Sequence, residues 1–144
     1  MNARNVLLWL HIVVAMVTMG PLIMFDVAAP IAIKSGNAGA ARFVAGLGKK
    51  LGPGTMLIAL LGLALVGEGG YELKDRWVIA ALVIYVLMVA IGIAILGKNV
   101  DAAADKLEAG EDVSAELAKL KTFGPVNIVL FLAILWLMVA KPGL

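Results

Sequence analysis

Residues 77–96, WVIAALVIYVLMVAIGIAIL, form a run of twenty amino acids without one charged side chain. A transmembrane helix needs about 20 predominantly apolar residues to cross the hydrocarbon core of a bilayer. Inside hydrocarbon the backbone must satisfy its own N–H and C=O groups, so a single spanning segment of this kind is an α-helix. This stretch therefore predicts a membrane-spanning helix.

Three more apolar stretches accompany it in the 144-residue chain, which is 62% hydrophobic. Soluble domains are usually below half apolar, so the excess indicates a lipid environment. We expect one all-α membrane domain of four transmembrane helices in an up-down bundle, with helical extensions in the cytoplasmic loops. The predicted spans are residues 6–33, 47–67, 77–97 and 123–140.

The distribution of Lys and Arg predicts the orientation, because these residues concentrate in cytoplasmic loops. Loops one and three carry eight of the twelve, against four on the other side. The eight are Lys34, Arg42, Lys49, Lys50, Lys98, Lys106, Lys119 and Lys121. We therefore predict a bacterial-type inner membrane protein with loops one and three in the cytoplasm and both termini outside.

Composition also excludes several kinds of site. The chain has no cysteine, so disulfides, thiolate metal sites and cysteine nucleophiles are excluded. A net charge of +2 is too small to suggest a nucleic-acid partner. No Ser/His/Asp set, paired carboxylates or phosphate-binding loop is recognisable, so enzymatic function is the less favoured prediction.

The loops are expected to be helical for much of their length. The Gly52–Gly54 sequence GPG is predicted to break the helix just before the second span. Residues 98–122 read as a helical hairpin in which Gly110 ends the first helix and Asp112 or Ser114 caps the second. A solvated hairpin is favoured over a docking site for a partner.

His11, the only histidine, lies in the first span near its predicted outer end. One hypothesis makes it an axial ligand of haem b, a copper ligand or a proton relay. Met16 and Met19 are then candidates for a second ligand. The alternative is a histidine that hydrogen-bonds a neighbouring helix or water.

Asp26 lies on the same helical face as His11 and Thr18, about 22 Å further along the axis at 1.5 Å per residue. The two ionisable groups therefore belong to different sites. A structural tie from Asp26 to a donor such as Asn127 is favoured over a proton or ion site, with Lys34, Arg42 and Lys121 as other candidates. Tyr85, in the middle of a span, needs a partner for its hydroxyl.

Three stretches carry a family resemblance: LLWLHIVVAMVTMGPLIMFDVA, LGPGTMLIALLGLALVG and ILWLMVAKPGL. They resemble the predicted integral membrane proteins of the domain of unknown function 2269 family, which implies a membrane fold. The first helix is more distantly similar to copper-resistance D proteins and haem-dependent protoporphyrinogen oxidases. In those, a histidine is followed by a Trp-Gly pair, whereas here Met19 precedes Gly20.

Three functional hypotheses follow. The favoured one is a non-catalytic accessory or assembly subunit, packed against a larger membrane complex such as a respiratory one, or against copies of itself. The first alternative is a haem- or metal-binding membrane protein that uses His11. The second is a small proton-linked transporter or channel that uses Asp26.

Overall fold

The computed structural model describes residues 2–141 and contains five α-helices. They are α1 (Ala3–Lys34), α2 (Ala38–Glu68), α3 (Arg76–Ile91), α4 (Lys98–Ala109) and α5 (Ser114–Ala140). A π-helical segment, Gly92–Gly97, joins α3 to α4, so that Arg76–Ala109 runs as one long helix. Residues 2–141 contain no strand.

Four helices are long and apolar enough to cross a membrane: α1, α2, α5 and the continuous Arg76–Ala109 helix. Large apolar side chains such as Val17, Ile31, Leu60, Ile93 and Val139 are exposed on the outside of the bundle. Exposed apolar surface of this extent is not tolerated in water but is what lipid chains cover. The predicted all-α four-helix membrane bundle is confirmed.

The bundle has two distinct ends. The terminal end holds Asn2, Lys141 and the α2–α3 turn, whereas the hairpin end holds the α1–α2 and α4–α5 turns. α1 packs along α2 and also touches α5, α3 packs on α5, and α4 packs against α2 and α5. The backbones of α2 and α3 stay apart and only side chains bridge them, with Val66 packed on Trp77 and Val78, which leaves space inside the terminal half.

Glycines allow the close approach of helices to α1. A methyl group at Gly54 would lie 2.6 Å from the Thr18 hydroxyl oxygen, and one at Gly124 would lie 2.9 Å from the Asp26 carbonyl oxygen. Any larger residue would therefore force α2 or α5 outward. Gly67 has no atom within 4 Å of the equivalent position, so it makes no such contact.

The hairpin end has its own core and its own ion pairs. Small and branched apolar residues fill the core, including Ile33, Ala41, Val100, Ala103 and Leu120. Around it, four ion pairs connect the charged side chains of α2, α4 and α5. They join Arg42 to Asp105 at 2.6 Å and to Glu108 at 2.8 Å, Lys49 to Asp101 at 2.9 Å, and Lys106 to Glu116 at 2.8 Å.

The helix break predicted at Gly52–Gly54 was wrong. α2 continues from Ala38 to Glu68 through Pro53. A proline removes one backbone N–H, and transmembrane helices tolerate it when neighbouring groups compensate. Pro53 leaves the Lys49 carbonyl without its helical N–H, and the contact of Gly54 with Thr18 holds this part of α2 on α1.

The hairpin turn was predicted more accurately. α4 ends at Ala109, and Gly110 adopts the left-handed conformation with φ 71° that glycine tolerates best. The Asp112 carboxylate accepts the Ser114 N–H at 3.3 Å at the start of α5. Asn2 and Asn37, whose capping role the sequence interpretation missed, accept the N–H groups of Asn5 and Ala40.

Candidate functional site: a cavity around His11

The space between α1, α2, α3 and α5 is a cavity of about 250 Å³ in the terminal half of the bundle. Nearly all of its lining is apolar. The apolar lining residues include Leu8, Ala15 and Met19 from α1, Ile58, Leu63 and Val66 from α2, Val78, Ala81 and Met88 from α3, and Phe131, Ile134 and Met138 from α5. Each of the four spanning helices therefore contributes a wall.

His11 is the polar group inside this apolar cavity, and only 8% of its surface is exposed. One edge of its ring rests on α2, since a methyl group at Gly62 would lie 3.2 Å from Cε1 and 3.7 Å from Nδ1. The imidazole approaches the Ile58 backbone carbonyl of α2, but Nδ1 makes no hydrogen bond of good geometry within residues 2–141. Buried polar groups are almost always paired, and the Ile58 carbonyl is the protein group that faces this imidazole.

The mouth of the cavity, at the terminal end, carries Arg4, Tyr71, Trp77 and Lys141. The Lys141 ammonium donates to the Tyr71 hydroxyl at 2.6 Å and lies 4.5 Å above the centre of the Tyr71 ring. Tyr71 and Trp77 meet edge to face, with ring centres 5.2 Å apart. These contacts fix a cation at the mouth.

Electrostatics at the mouth favour negative charge. The hydrogen bond from Lys141 lowers the pKa of the Tyr71 phenol, and the nearby charges of Lys141 and Arg4 lower it further. The indole Nε1 of Trp77 is buried and makes no hydrogen bond. Within residues 2–141, no Asp or Glu lines the cavity.

The structure separates the residues that the sequence singled out. Met19 and Tyr85 line the cavity with His11, and the Tyr85 hydroxyl finds its partner in the Thr55 carbonyl at 2.8 Å. Thr18 instead packs against Gly54. Met16 is 70% exposed on the outer surface, because five residues along a helix place it on a different face from His11. Met16 is therefore not a candidate ligand in this cavity.

Asp26 does not line the cavity. Its carboxylate accepts a hydrogen bond from the Asn127 side-chain amide at 2.8 Å, which links α1 to α5. Of the other candidate donors, Arg42 is instead bound to Asp105 and Glu108. The Asn127 side-chain oxygen has no partner among the described residues.

Neither His11 nor Asp26 forms part of a metal-ligand cluster. No group of three or more His, Cys, Asp or Glu side chains within residues 2–141 is placed to hold a metal ion. Any metal at His11 would therefore need most of its ligands from elsewhere.

The sequence interpretation missed the mouth as a site. Arg4 and Lys141 entered it only as two of the four positive residues on the side opposite loops one and three. The four residues of the mouth come from three distant parts of the sequence, which meet because an even number of spans brings both termini and the α2–α3 turn to one end. Topology was the one signal that could have grouped them.

Comparison with known proteins agrees with the fold. The family model described as "Predicted integral membrane protein (DUF2269)" matches residues 5–142. No curated protein and no solved structure matches the chain.

Proposed function

Because the chain belongs to the DUF2269 family of predicted integral membrane proteins, we propose that it acts within the bilayer as a ligand-binding protein. Its site is the cavity around His11. The observation that carries this proposal is a buried imidazole in the wall of an apolar cavity of about 250 Å³. Ligand sites are typically concave and mostly apolar, with a few polar groups that orient the ligand.

The size of the cavity limits the occupant. Its volume of about 250 Å³ is slightly below the roughly 300–1,000 Å³ of pockets that hold drug-sized ligands. A small or narrow molecule fits this space. His11 supplies the polar contact, since a neutral imidazole donates from one ring nitrogen and accepts at the other.

Haem b is the less favoured occupant. Its macrocycle is larger than the cavity. Met19, the remaining partner proposed from the sequence, lies on the same helix as His11 and about 12 Å further along its axis at 1.5 Å per residue. Methionine side chains from α3 and α5, Met88 and Met138, line the cavity as core residues commonly do.

The accessory-subunit hypothesis and the hypothesis of a transporter or channel that uses Asp26 stay predictions. Lipid covers the outer apolar surface as well as a partner subunit would, so that surface does not favour an accessory or assembly role. A transporter or channel centred on Asp26 draws no support from the cavity, because Asp26 does not line it. The bond to Asn127 supports a structural role for this carboxylate.

Native mass spectrometry of the purified protein, combined with its absorption spectrum, tests the proposal. We expect a small bound molecule in the wild type, reduced occupancy in His11→Ala, and no Soret band. Met16→Ala, which removes an exposed methionine of the same helix, is the matched control and should keep full occupancy. Equal occupancy in His11→Ala and the wild type, or an empty wild type that takes up no added small molecule, would contradict it.

A further inference from the structure

We propose that the ligand is a single-chain amphiphile with an anionic head, whose tail fills the cavity and whose head is held by Arg4 and Lys141 at the mouth. This inference rests on the proposed function and adds the chemical class of the ligand. Three features carry it: the charge of the mouth, its free donors, and the narrow apolar cavity below them.

The lining of the mouth carries positive charge. Arg4 and Lys141 both line the cavity, and no acidic side chain does so within residues 2–141. Three acidic residues lie at the same end of the bundle outside the cavity: Glu68, Glu72, which pairs with Lys74 at 2.6 Å, and Asp75, which accepts the Glu72 N–H at 2.9 Å. A carboxylate or phosphate head would complement the two cations, and charge-assisted hydrogen bonds of this kind are the strong ones.

The mouth also retains unused donors. Lys141 has three N–H donors and gives one to Tyr71. The Tyr71 hydroxyl accepts this bond and keeps its own proton to donate. Arg4 adds a planar guanidinium, which can bind both oxygens of a carboxylate or phosphate. An anionic head can therefore be held from α1, from the α2–α3 turn and from the end of α5.

The cavity suits one narrow apolar tail that arrives from the membrane. Below the mouth the lining is apolar apart from His11 and the Tyr85 hydroxyl, and the latter is already bonded to Thr55. The backbones of α2 and α3 stay apart beside the cavity, but side chains close the space between them, with Val66 packed on Trp77 and Val78, so a tail enters by the mouth. The volume of about 250 Å³ suits one chain rather than the two of a phospholipid.

Equilibrium binding to the full-length protein in lipid nanodiscs tests this inference, with empty nanodiscs as the blank. The probes are dodecanoate, dodecyl phosphate and the neutral dodecanol, which share one tail. We expect the anions to bind roughly tenfold more tightly than dodecanol, a factor worth about 1.4 kcal/mol. The ratio of the dissociation constants of dodecanoate and dodecyl phosphate shows which head group, carboxylate or phosphate, is preferred.

Variants connect that preference to the mouth. Arg4→Gln and Lys141→Gln should each reduce the preference for the anions several-fold, and the double variant should abolish it. Lys74→Gln removes the same charge from the same end of the bundle, but Lys74 does not line the cavity. This control should keep the full preference, and thermal unfolding should confirm that all variants remain folded.

The outcomes separate the two proposals. Equal binding of dodecanoate and dodecanol, or a preference that survives the double variant, would overturn the anionic class and leave the cavity as a ligand site. If Lys74→Gln reduced the preference for anions as much as Arg4→Gln and Lys141→Gln do, the anionic class would also be overturned. The preference would then reflect a general electrostatic attraction to this end of the bundle. Absence of binding by all three probes, together with an empty wild-type protein, would contradict the proposed function itself.

Discussion

A glycine lies against α1 beside each of its three intramembrane polar residues. Gly62 supports the His11 ring, Gly54 meets the Thr18 side chain, and Gly124 meets the Asp26 backbone. Small residues let helices approach closely in a membrane, where no hydrophobic force draws them together. The polar residues of α1 are thereby shielded from lipid.

The contact of Gly54 with Thr18 should be sensitive to a single methyl group. Gly54→Ala would place Cβ 2.6 Å from the Thr18 hydroxyl oxygen, and overpacking of this kind costs about 1–3 kcal/mol. We expect a lower midpoint of thermal unfolding in mild detergent. Gly48→Ala, on the same helix with nothing within 4 Å, should instead gain the roughly 0.5–1 kcal/mol by which alanine is preferred to glycine in a helix.

A double-mutant cycle completes this test. Thr18→Ala removes the two nearest clashing atoms, so it should restore much of the stability that Gly54→Ala loses. Equal unfolding midpoints for Gly54→Ala and Gly48→Ala would contradict the close packing of α2 on α1.

The bond between Asp26 and Asn127 should behave as a structural tie. Asn127→Ala leaves Asp26 without its donor, and we expect a loss of about 1 kcal/mol, within the range for interhelical hydrogen bonds in membranes. Asp26→Asn keeps an acceptor oxygen facing Asn127 and should cost less. Detergent unfolding measures both, with the exposed Thr122→Ala as control. A larger loss in Asp26→Asn than in Asn127→Ala would favour a specific need for the carboxylate.

At the scale of helices, exposed ion pairs of Arg42 connect α2 to α4 at the hairpin end. Arg42 on α2 binds both Asp105 and Glu108 on α4. Exposed pairs of this kind contribute little individually and are screened by salt. They connect two elements far apart in sequence, so their main effect is on how α4 is placed against α2.

Salt should therefore reveal the contribution of Arg42. Arg42→Gln is expected to lower the unfolding midpoint slightly at low ionic strength, and the difference should vanish in 1 M salt, where the Debye length is about 3 Å. Lys50→Gln, an exposed lysine that makes no ion pair within residues 2–141, serves as control. A large, salt-independent effect of Arg42→Gln would indicate a packing role for this side chain.

The sequence predicted which segments form spanning helices, but not the irregular backbone within them. The existence of four spans followed from hydropathy, since bilayer thickness fixes the length of an apolar run. The continuous course of α2 through Pro53 did not follow, because it depends on contacts with α1. The π-helical segment Gly92–Gly97 was also missed, since nothing local in the apolar sequence distinguishes it from α-helix.

At the scale of the whole molecule, the site depended on topology. Hydropathy and helical spacing identified His11 and Asp26 and placed them apart. They did not predict that α2 and α3 would leave a cavity or that Arg4 and Lys141 would meet at its mouth. Those features arise from the way the helices pack against one another. The 3.6-residue period of a helix shows which residues share a face, but not which helix that face contacts.

The orientation in the membrane is a further prediction at this scale. The chain has no cysteine, so single substitutions Ser35→Cys, Glu72→Cys and Glu111→Cys each introduce one unique label site in an exposed turn. A membrane-impermeant maleimide added to intact cells should label only Glu72→Cys, and permeabilisation should expose the other two. The reverse pattern would contradict the orientation derived from the positive charges.

The most direct test of the ligand-binding cavity is to fill it and measure dodecanoate binding. Ala81→Phe adds a ring to the cavity wall formed by α3, whereas Ala90→Phe adds the same ring to an exposed position of the same helix outside the cavity. Provided that both variants stay folded, we predict at least about a tenfold loss of affinity, or 1.4 kcal/mol, in Ala81→Phe and none in Ala90→Phe. Wild-type affinity in a folded Ala81→Phe would contradict the central claim that this cavity is the binding site.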